Sequence, residues 1–189
     1  MEIDNLLHFT TAKELREWLE ENSSTEKYCW VICSVKPEKD KLLYLDVVET
    51  ALCYGWIDGI KKKVSLTDTA QRISPRTKNS SWTELNKERV RRLTKLGLMT
   101  SHGEKILPDM DVKNFKIDSE ILNKIIQDEE ILDNFNNMPE LYKRIKIDNI
   151  QSVWKDQELY TKRLDKFIES LKQNKMVGQW HDNGRLLDY

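Results

Sequence analysis

"ALCYGWIDGIKKKV", residues 51–64, decides how the middle of the chain folds. It opens as the end of an apolar stripe at helical spacing, Val47, Val48, Ala51 and Leu52. Gly55 follows, where a glycine in the left-handed region commonly stops a helix. From Trp56 the pattern changes to the alternation of a strand. Trp56, Asp58, Ile60 and Lys62 fall on one side, and Ile57, Gly59, Lys61 and Lys63 on the other. Asp58 thus sits between two glycines, beside an indole and just ahead of three lysines. Either it is half of a functional polar site, or it anchors the turn from helix to strand.

Thr69 to Ser74 reads as a second strand, joined to the first through Leu66–Asp68, so the two predict a hairpin. Tyr28-Cys-Trp-Val-Ile-Cys33 is rich in β-formers and supplies a third strand. Upstream, Thr11 and Glu14 form a capping box that opens a helix over about 11–21. Downstream, a polar loop runs to Trp82. Ser81 and Glu84 suggest a second capping box, opening an amphipathic helix that stops at Gly97. Beyond Ser101 the pattern is helical, clearest over 118–136, 139–153 (with Pro139 at the first helical position) and 156–173. The aromatic tail, 176–189, is expected to dock. The fold expected is α+β: a small antiparallel sheet of about three strands packed by helices, then a helical C-terminal half. Residues 1–110 would form the α+β domain and 111–189 a helical region packed on it.

The composition is that of a globular protein, with 39% hydrophobic and 33% charged residues and six Trp to anchor a core. Six Gly and four Pro argue against long linkers and against a sandwich dense in tight turns. No apolar run approaches the roughly 18 residues of a membrane span. The opening MEIDNLLHFTTAKEL lacks the basic and apolar regions of a signal peptide, so a cytoplasmic location is expected. Cys29, Cys33 and Cys53 match no zinc spacing, and His8, His102 and His181 are scattered. Neither a metal nor a cofactor is expected.

The net charge of −1 conceals a pattern. Residues 60–95 carry 11 Lys/Arg against 3 Asp/Glu, whereas residues 1–50 carry 6 against 11, and 118–133 carry 1 against 6. A basic middle between acidic flanks can bind an anion, meet an acidic partner, or face the chain's own acids.

Gln71, Arg72, Ser74, Arg76, Lys78, Asn79, Ser80, Ser81, Trp82 and Asn86 place guanidinium groups and hydroxyls ahead of a helix N-terminus. This is the chemistry of an anion site, since free N–H groups and the helix dipole favour negative charge there. Arginine adds a planar fork for phosphate or carboxylate. The other reading is a surface loop in which Ser81 caps the helix and the arginines pair with the chain's own acids. Asp58 suits a structural pair with Arg72 across the hairpin, a ligand contact, or an acid/base role. Catalysis would need a nucleophile or second titrating group, and the sequence offers none at a matched position. Lys61–Lys63 with Arg89, Arg91 and Arg92 lack the interleaved aromatics of a nucleic-acid surface. Nucleic acid is therefore not the expected partner.

The stretch from Glu49 to Thr100 resembles the YdeI/OmpD-associated, or bacteriocin-protection, family. Ala51, Leu52, Gly55-Trp56-Ile57-Asp58-Gly59, Ala70-Gln71-Arg72, Pro75-Arg76, Ser80, Trp82, Asn86, Glu88-Arg89, Leu93, Gly97 and Met99 carry the likeness. Arg16-Glu-Trp-Leu19 and Phe135–Pro139 extend it along the chain. Thr83 stands where that family commonly has Ser, and 150–155 lacks its Ala-Lys pair. The resemblance implies a link to bacteriocin protection or envelope stress. The function expected is a non-enzymatic protection protein with an anion-binding pocket, the alternatives being an interaction module that uses the basic face, or an enzyme on a small phosphorylated or carboxylated substrate with Asp58 as acid or base. The resemblance also groups Trp56, Asp58, Gln71, Arg72, Arg76, Trp82 and Asn86 as one assembled site, either a ligand-binding pocket or a polar network that holds the hairpin to the loop and helix. The partners expected are a small anionic ligand or a protein, without membrane insertion.

Overall fold

The computed structural model describes residues 3–77 and 80–189. They fall into two compact units, Met1–Ser81 with Arg89–Pro108, and Trp82–Glu88 with Asp109–Tyr189. Lys78 and Asn79 lie outside the described residues.

The first unit contains β1 (Leu6–Leu7), α1 (Ala12–Asn22), β2 (Cys29–Ser34), β3 (Leu42–Leu43), α2 (Tyr44–Cys53), β4 (Trp56–Lys63), β5 (Thr69–Pro75) and α4 (Ser101–Glu104). α3 (Glu84–Lys95) begins in the second unit and ends in the first. The strands make one sheet in the order β1-β2-β5-β4, with β3 also on β2. β2, β5 and β4 are the three antiparallel strands the sequence predicts, whereas β1 and β3 pair parallel to β2. The α+β class stands, but the sheet is mixed and has five strands rather than about three. The two additions are only two residues long, too short for a period-two pattern to reveal them.

The capping box of Thr11 and Glu14 forms at the start of α1, which buries Leu15 and Leu19 completely. α2 buries Val47, Val48, Ala51 and Leu52, and Gly55 follows at φ 75°. Each buried valine or leucine contributes about 1.5–3 kcal/mol. The open carbonyl of Cys53 at the end of α2 accepts from the Thr100 amide at 3.1 Å and its hydroxyl at 2.6 Å. α4 starts directly behind that contact, and Gly103 packs against the same carbonyl.

The second unit holds α5 (Ser119–Ile126), α6 (Glu129–Asn137), α7 (Glu140–Gln151) and α8 (Gln157–Lys172). The single helix expected over 118–136 is two. The Asp128 carboxylate accepts from the Glu130 and Ile131 amides and so starts a new helix. Asp118 and Asp156 cap α5 and α8 in the same way. Pro139 is the residue before α7 rather than its first helical residue. Ile121, Ile125, Phe135, Tyr142, Ile147, Leu164, Phe167 and Leu171 form the core of this unit. The tail lies on it, with the Trp180 ring 5.5 Å from that of Tyr142 and the Val177 amide donating to the Tyr142 hydroxyl. Among the described residues no helix is long and apolar enough to cross a membrane.

Gly103 supplies a test of the α2–α4 junction. A Cβ there would collide with the Cys53 carbonyl, which is backbone and already holds two hydrogen bonds. Gly103→Ala should cost about 1–3 kcal/mol through overpacking, read as a melting temperature lowered by roughly 2–10 °C. An unchanged melting curve would mean that the junction yields freely.

Candidate functional site

The hairpin of β4 and β5 determines where the expected site residues go. Trp56 pairs with Pro75 and Asp58 with Ile73, but Lys61 then pairs with Gln71, so one extra residue of β4 is bulged at Gly59–Ile60. Directly opposed residues share a face. Trp56, Asp58, Lys61 and Lys63 therefore lie on one face with Gln71 and Ile73, and Lys62 lies on the other with Ala70. This corrects the simple alternation, which places Lys62 with Asp58.

Gln71 explains how the bulge is held. Its side chain is buried, and Nε2 donates to the Gly59 carbonyl at 2.8 Å, within reach also of Ile60 O (3.3 Å) and Arg72 O (3.2 Å). All three carbonyls lie where the register of the ladder shifts. Trp56 is fully enclosed, edge-on to Trp18 at 6.0 Å, with its N–H on the Ser23 carbonyl. Both residues are occupied in holding the sheet unit together.

Asp58 does not pair with Arg72. Arg72 is opposed to Trp30, on the other face from Asp58. Its guanidinium stacks over Tyr28, with Cζ 4.3 Å from the ring centre, and reaches Ser74 Oγ at 3.5 Å. Asp58 instead accepts a 2.6 Å hydrogen bond from the Tyr44 hydroxyl at the start of α2. Sequence reasoning missed Tyr44. A polar-tipped aromatic at the first position of a helix with a buried apolar stripe was the available signal. Burial, and then the bond to Asp58, push the Tyr44 phenol well above the ordinary tyrosine range.

Arg76 is a cation that shares this region with Asp58, and the charge of Arg89 also acts on Tyr44. Its amide donates to the Gly55 carbonyl at 2.9 Å, and Nη1 donates to the Ser81 carbonyl at 3.0 Å. The residue is 8% exposed. Burial pulls its pKa down to about 10, with the nearby Asp58 charge acting in the opposite direction. On α3, Arg92 pairs with the buried Glu49 of α2 at 2.9 Å.

Trp82 and Asn86, the last two expected site residues, belong to the second unit. The expected Ser81–Glu84 capping box does not form. The helix starts two residues later than that box requires, and Thr83 Oγ1 accepts from the Asn86 amide. The Glu84 amide is taken by the Asp148 carboxylate. Arg144 sits 2.6 Å from Glu88 and 3.4 Å from Glu84, and the Tyr189 hydroxyl donates to Glu88 at 2.8 Å. Glu84 with Glu88, and Arg144 with Asp148, are i,i+4 pairs that helix periodicity makes legible.

Cys29, Cys33 and Cys53 are free and buried, and burial raises all three thiols, Cys29 to about 12. Among the described residues no group of three or more His, Cys, Asp or Glu side chains is placed to hold a metal ion.

Residues 7–106, more than half of the chain, match the model of a domain of unknown function, DUF8412. The chain belongs to the DUF8412 family. Residues 114–174 match a second model, Bacteriocin-protection, YdeI or OmpD-Associated. The resemblance read from the sequence is thus found, but in the helical part. The GWIDG-to-Trp82 stretch that carried it lies inside the DUF8412 match instead. No curated protein and no solved structure matches the chain.

The Tyr44–Asp58 bond makes a testable contribution. A phenol raised in the folded state binds its proton more tightly there than in the unfolded chain. Its stabilisation is complete below the ordinary tyrosine pKa near 10 and drains as pH rises towards the folded value. Tyr44→Phe should cost about 1.5–3 kcal/mol near neutrality, the size of a hydrogen bond to a charged group. Its stability should also fall less steeply than wild type above about pH 10. Tyr54 and Cys29, each raised to about 12 mainly by burial, keep part of that slope. Parallel alkaline denaturation curves for the two proteins would remove the bond from the account.

Proposed function

We propose that this DUF8412 chain is a non-enzymatic protein of the bacteriocin-protection or stress-response type, working in the cytoplasm. Its sheet unit accepts a small anion at the Tyr44–Asp58–Arg76 cluster. The observation that carries this reading is the state of Arg76. Two backbone contacts fix it at both ends, and it holds its charge in a place where burial opposes that charge. A guanidinium already oriented and poorly solvated gains more from an incoming oxyanion than one that must be ordered from water. Asp58, steadied by Tyr44, orients the cluster. Arg72 takes no part, because it lies on the opposite face. Trp56 and Gln71 support the backbone that presents the cluster.

The absence of an enzyme assignment rests on chemistry. The cluster combines one carboxylate, one phenol and one guanidinium. The thiols of the sheet unit, raised by burial, are poor nucleophiles near neutral pH.

A second reading, docking of an acidic protein partner, has one observation in its favour. β4 is the sheet's edge strand and carries exposed Lys61 and Lys63, with Ile60 52% exposed and Leu66, just beyond it, 92% exposed.

Thermal-shift titration with inorganic phosphate and succinate tests the first reading. At about 100 times its dissociation constant a ligand adds about 2.7 kcal/mol, a rise of roughly 5–10 °C for a chain of this size. Arg76→Lys, which keeps the charge but loses the fork, should diminish the shift, and Arg76→Ala should abolish it. An undiminished shift in a folded Arg76→Ala variant would refute the assignment.

A further inference from the structure

The helical unit contains a cavity that neither the sequence motifs nor the family descriptions point to. It has a volume of about 200 Å³ and opens between α7, α8 and the start of the tail. Three cations, Lys146, Arg163 and Lys166, line it together with the apolar side chains of Ile150, Phe167 and Val177. We propose that this cavity is a binding site for a small organic anion, its phosphate or carboxylate head held by Lys146, Arg163 and Lys166 and its apolar body against Phe167, Ile150 and Val177.

Helix spacing explains why these residues converge. Lys146 and Ile150 are i,i+4 on α7, and Arg163, Lys166 and Phe167 are i,i+3,i+4 on α8, so each set shares one helix face. Both helices turn their apolar residues inward and place their cations at the rim. The third wall is backbone. The tail crosses with Gly178 at φ 66°, and a Cβ at that position would come within 3.0 Å of Lys146 Nζ. A glycine there allows the chain to pass close over the lysine.

The charges in this cavity are not balanced by acids. Lys146 Nζ reaches the Gln179 carbonyl at 3.4 Å, and Arg163 Nη1 donates to the Asn149 carbonyl at 2.5 Å. Among the described residues no carboxylate forms an ion pair with Lys146, Arg163 or Lys166. The acids nearest along the two helices are engaged elsewhere. Asp165 pairs with Lys124 and Asp148 accepts from the Glu84 amide, while Glu169 bonds Gln173. Burial, and then the charge of Lys166, lower the pKa of Lys146. Three like charges across a concavity repel one another, and an anion between them relieves that repulsion. Lysines on a merely solvated helix face point apart and line no cavity. The apolar lining gives the ligand its second feature, since Val177 borders the cations and Phe167 and Ile150, packed in the core, present their edges to the cavity.

Titration of the full-length chain with inorganic phosphate, phenyl phosphate and phenol, followed by calorimetry and by hydrogen exchange of the tail amides, tests the site. Phenyl phosphate should bind more tightly than phosphate, phenol should not bind, and residues 177–180 should gain protection. Arg163→Gln and Lys166→Gln should each weaken phenyl phosphate by about tenfold, the size of one charge-assisted hydrogen bond. The unliganded melting temperature of Lys166→Gln should hold or rise as the repulsion is removed. Lys166→Glu, at an exposed position, serves as a second variant that should still fold and should abolish binding. Arg76→Lys should leave phenyl phosphate protection of the tail intact, which separates this site from the cluster of the sheet unit. Unchanged affinity in the folded Arg163→Gln and Lys166→Glu proteins would overturn the proposal. So would phenyl phosphate binding without tail protection, or no binding to the wild type at millimolar concentration.

Discussion

The extra residue in β4 is the constraint on which the sheet unit's chemistry depends. In a paired strand a shift of one residue exchanges every side chain between the two faces. The bulge at Gly59–Ile60 makes that exchange in the middle of the hairpin. It keeps Trp56 and Asp58 on the face of α2 and turns Lys62 to the other, where its ammonium lies 6.0 Å from the Trp30 ring centre. At that shift Gln71, 3% exposed, bonds the Gly59 carbonyl at 2.8 Å and reaches that of Ile60 at 3.3 Å. A buried amide would otherwise be a liability. Here it closes the backbone's own hydrogen-bond account.

Much of the fold was legible because its elements announce themselves with rules that act over a few residues. The Thr11–Glu14 box, the Val47–Leu52 stripe ending at Gly55, and the alternating runs on either side of Leu66–Asp68 each depend on local chemistry. What the sequence hid was decided by partners far along the chain. β1 and β3 exist only because β2 is there to pair with them. The bulge cannot be read from β4 alone, since an alternating pattern with one residue too many looks like an alternating pattern. From that single hidden residue follows the failure of the expected Asp58–Arg72 pair. In the helical half, Asp128 divided a continuous stripe, because a carboxylate that caps one helix reads equally well as a solvated residue within a longer one.

The candidate site was legible as a group of residue types and illegible as a geometry. Asp, Gln, Arg and Trp in one stretch do signal a polar assembly, since a core alone would not use them. Structure then divides them by task. Trp56 packs, Gln71 repairs the backbone, Arg72 covers Tyr28 on the opposite face, and Asp58 and Arg76 remain near one another with Tyr44. Tyr44 opens the helix whose last residues begin the quoted stretch, and it escapes a reading that proceeds motif by motif.

The two units hold their cations in physically different ways, and the difference decides which observations count as signs of binding. In the sheet unit Arg92 pairs with Glu49, while Arg76 is held by backbone contacts with the Asp58 charge in electrostatic reach. An anion arriving there meets a guanidinium already oriented and poorly solvated. In the cavity of α7 and α8, Lys146 and Arg163 bond carbonyl oxygens, the Lys146 ammonium also lies 5.7 Å from the Tyr142 ring centre, and the cations border open volume. Carbonyl dipoles orient a cation without neutralising it, so the charge remains available. Folding energy alone would favour an acid at such a rim or a shorter polar side chain. Keeping three cations around a small apolar-floored cavity costs stability through repulsion, and an incoming anion is the species that recovers that cost.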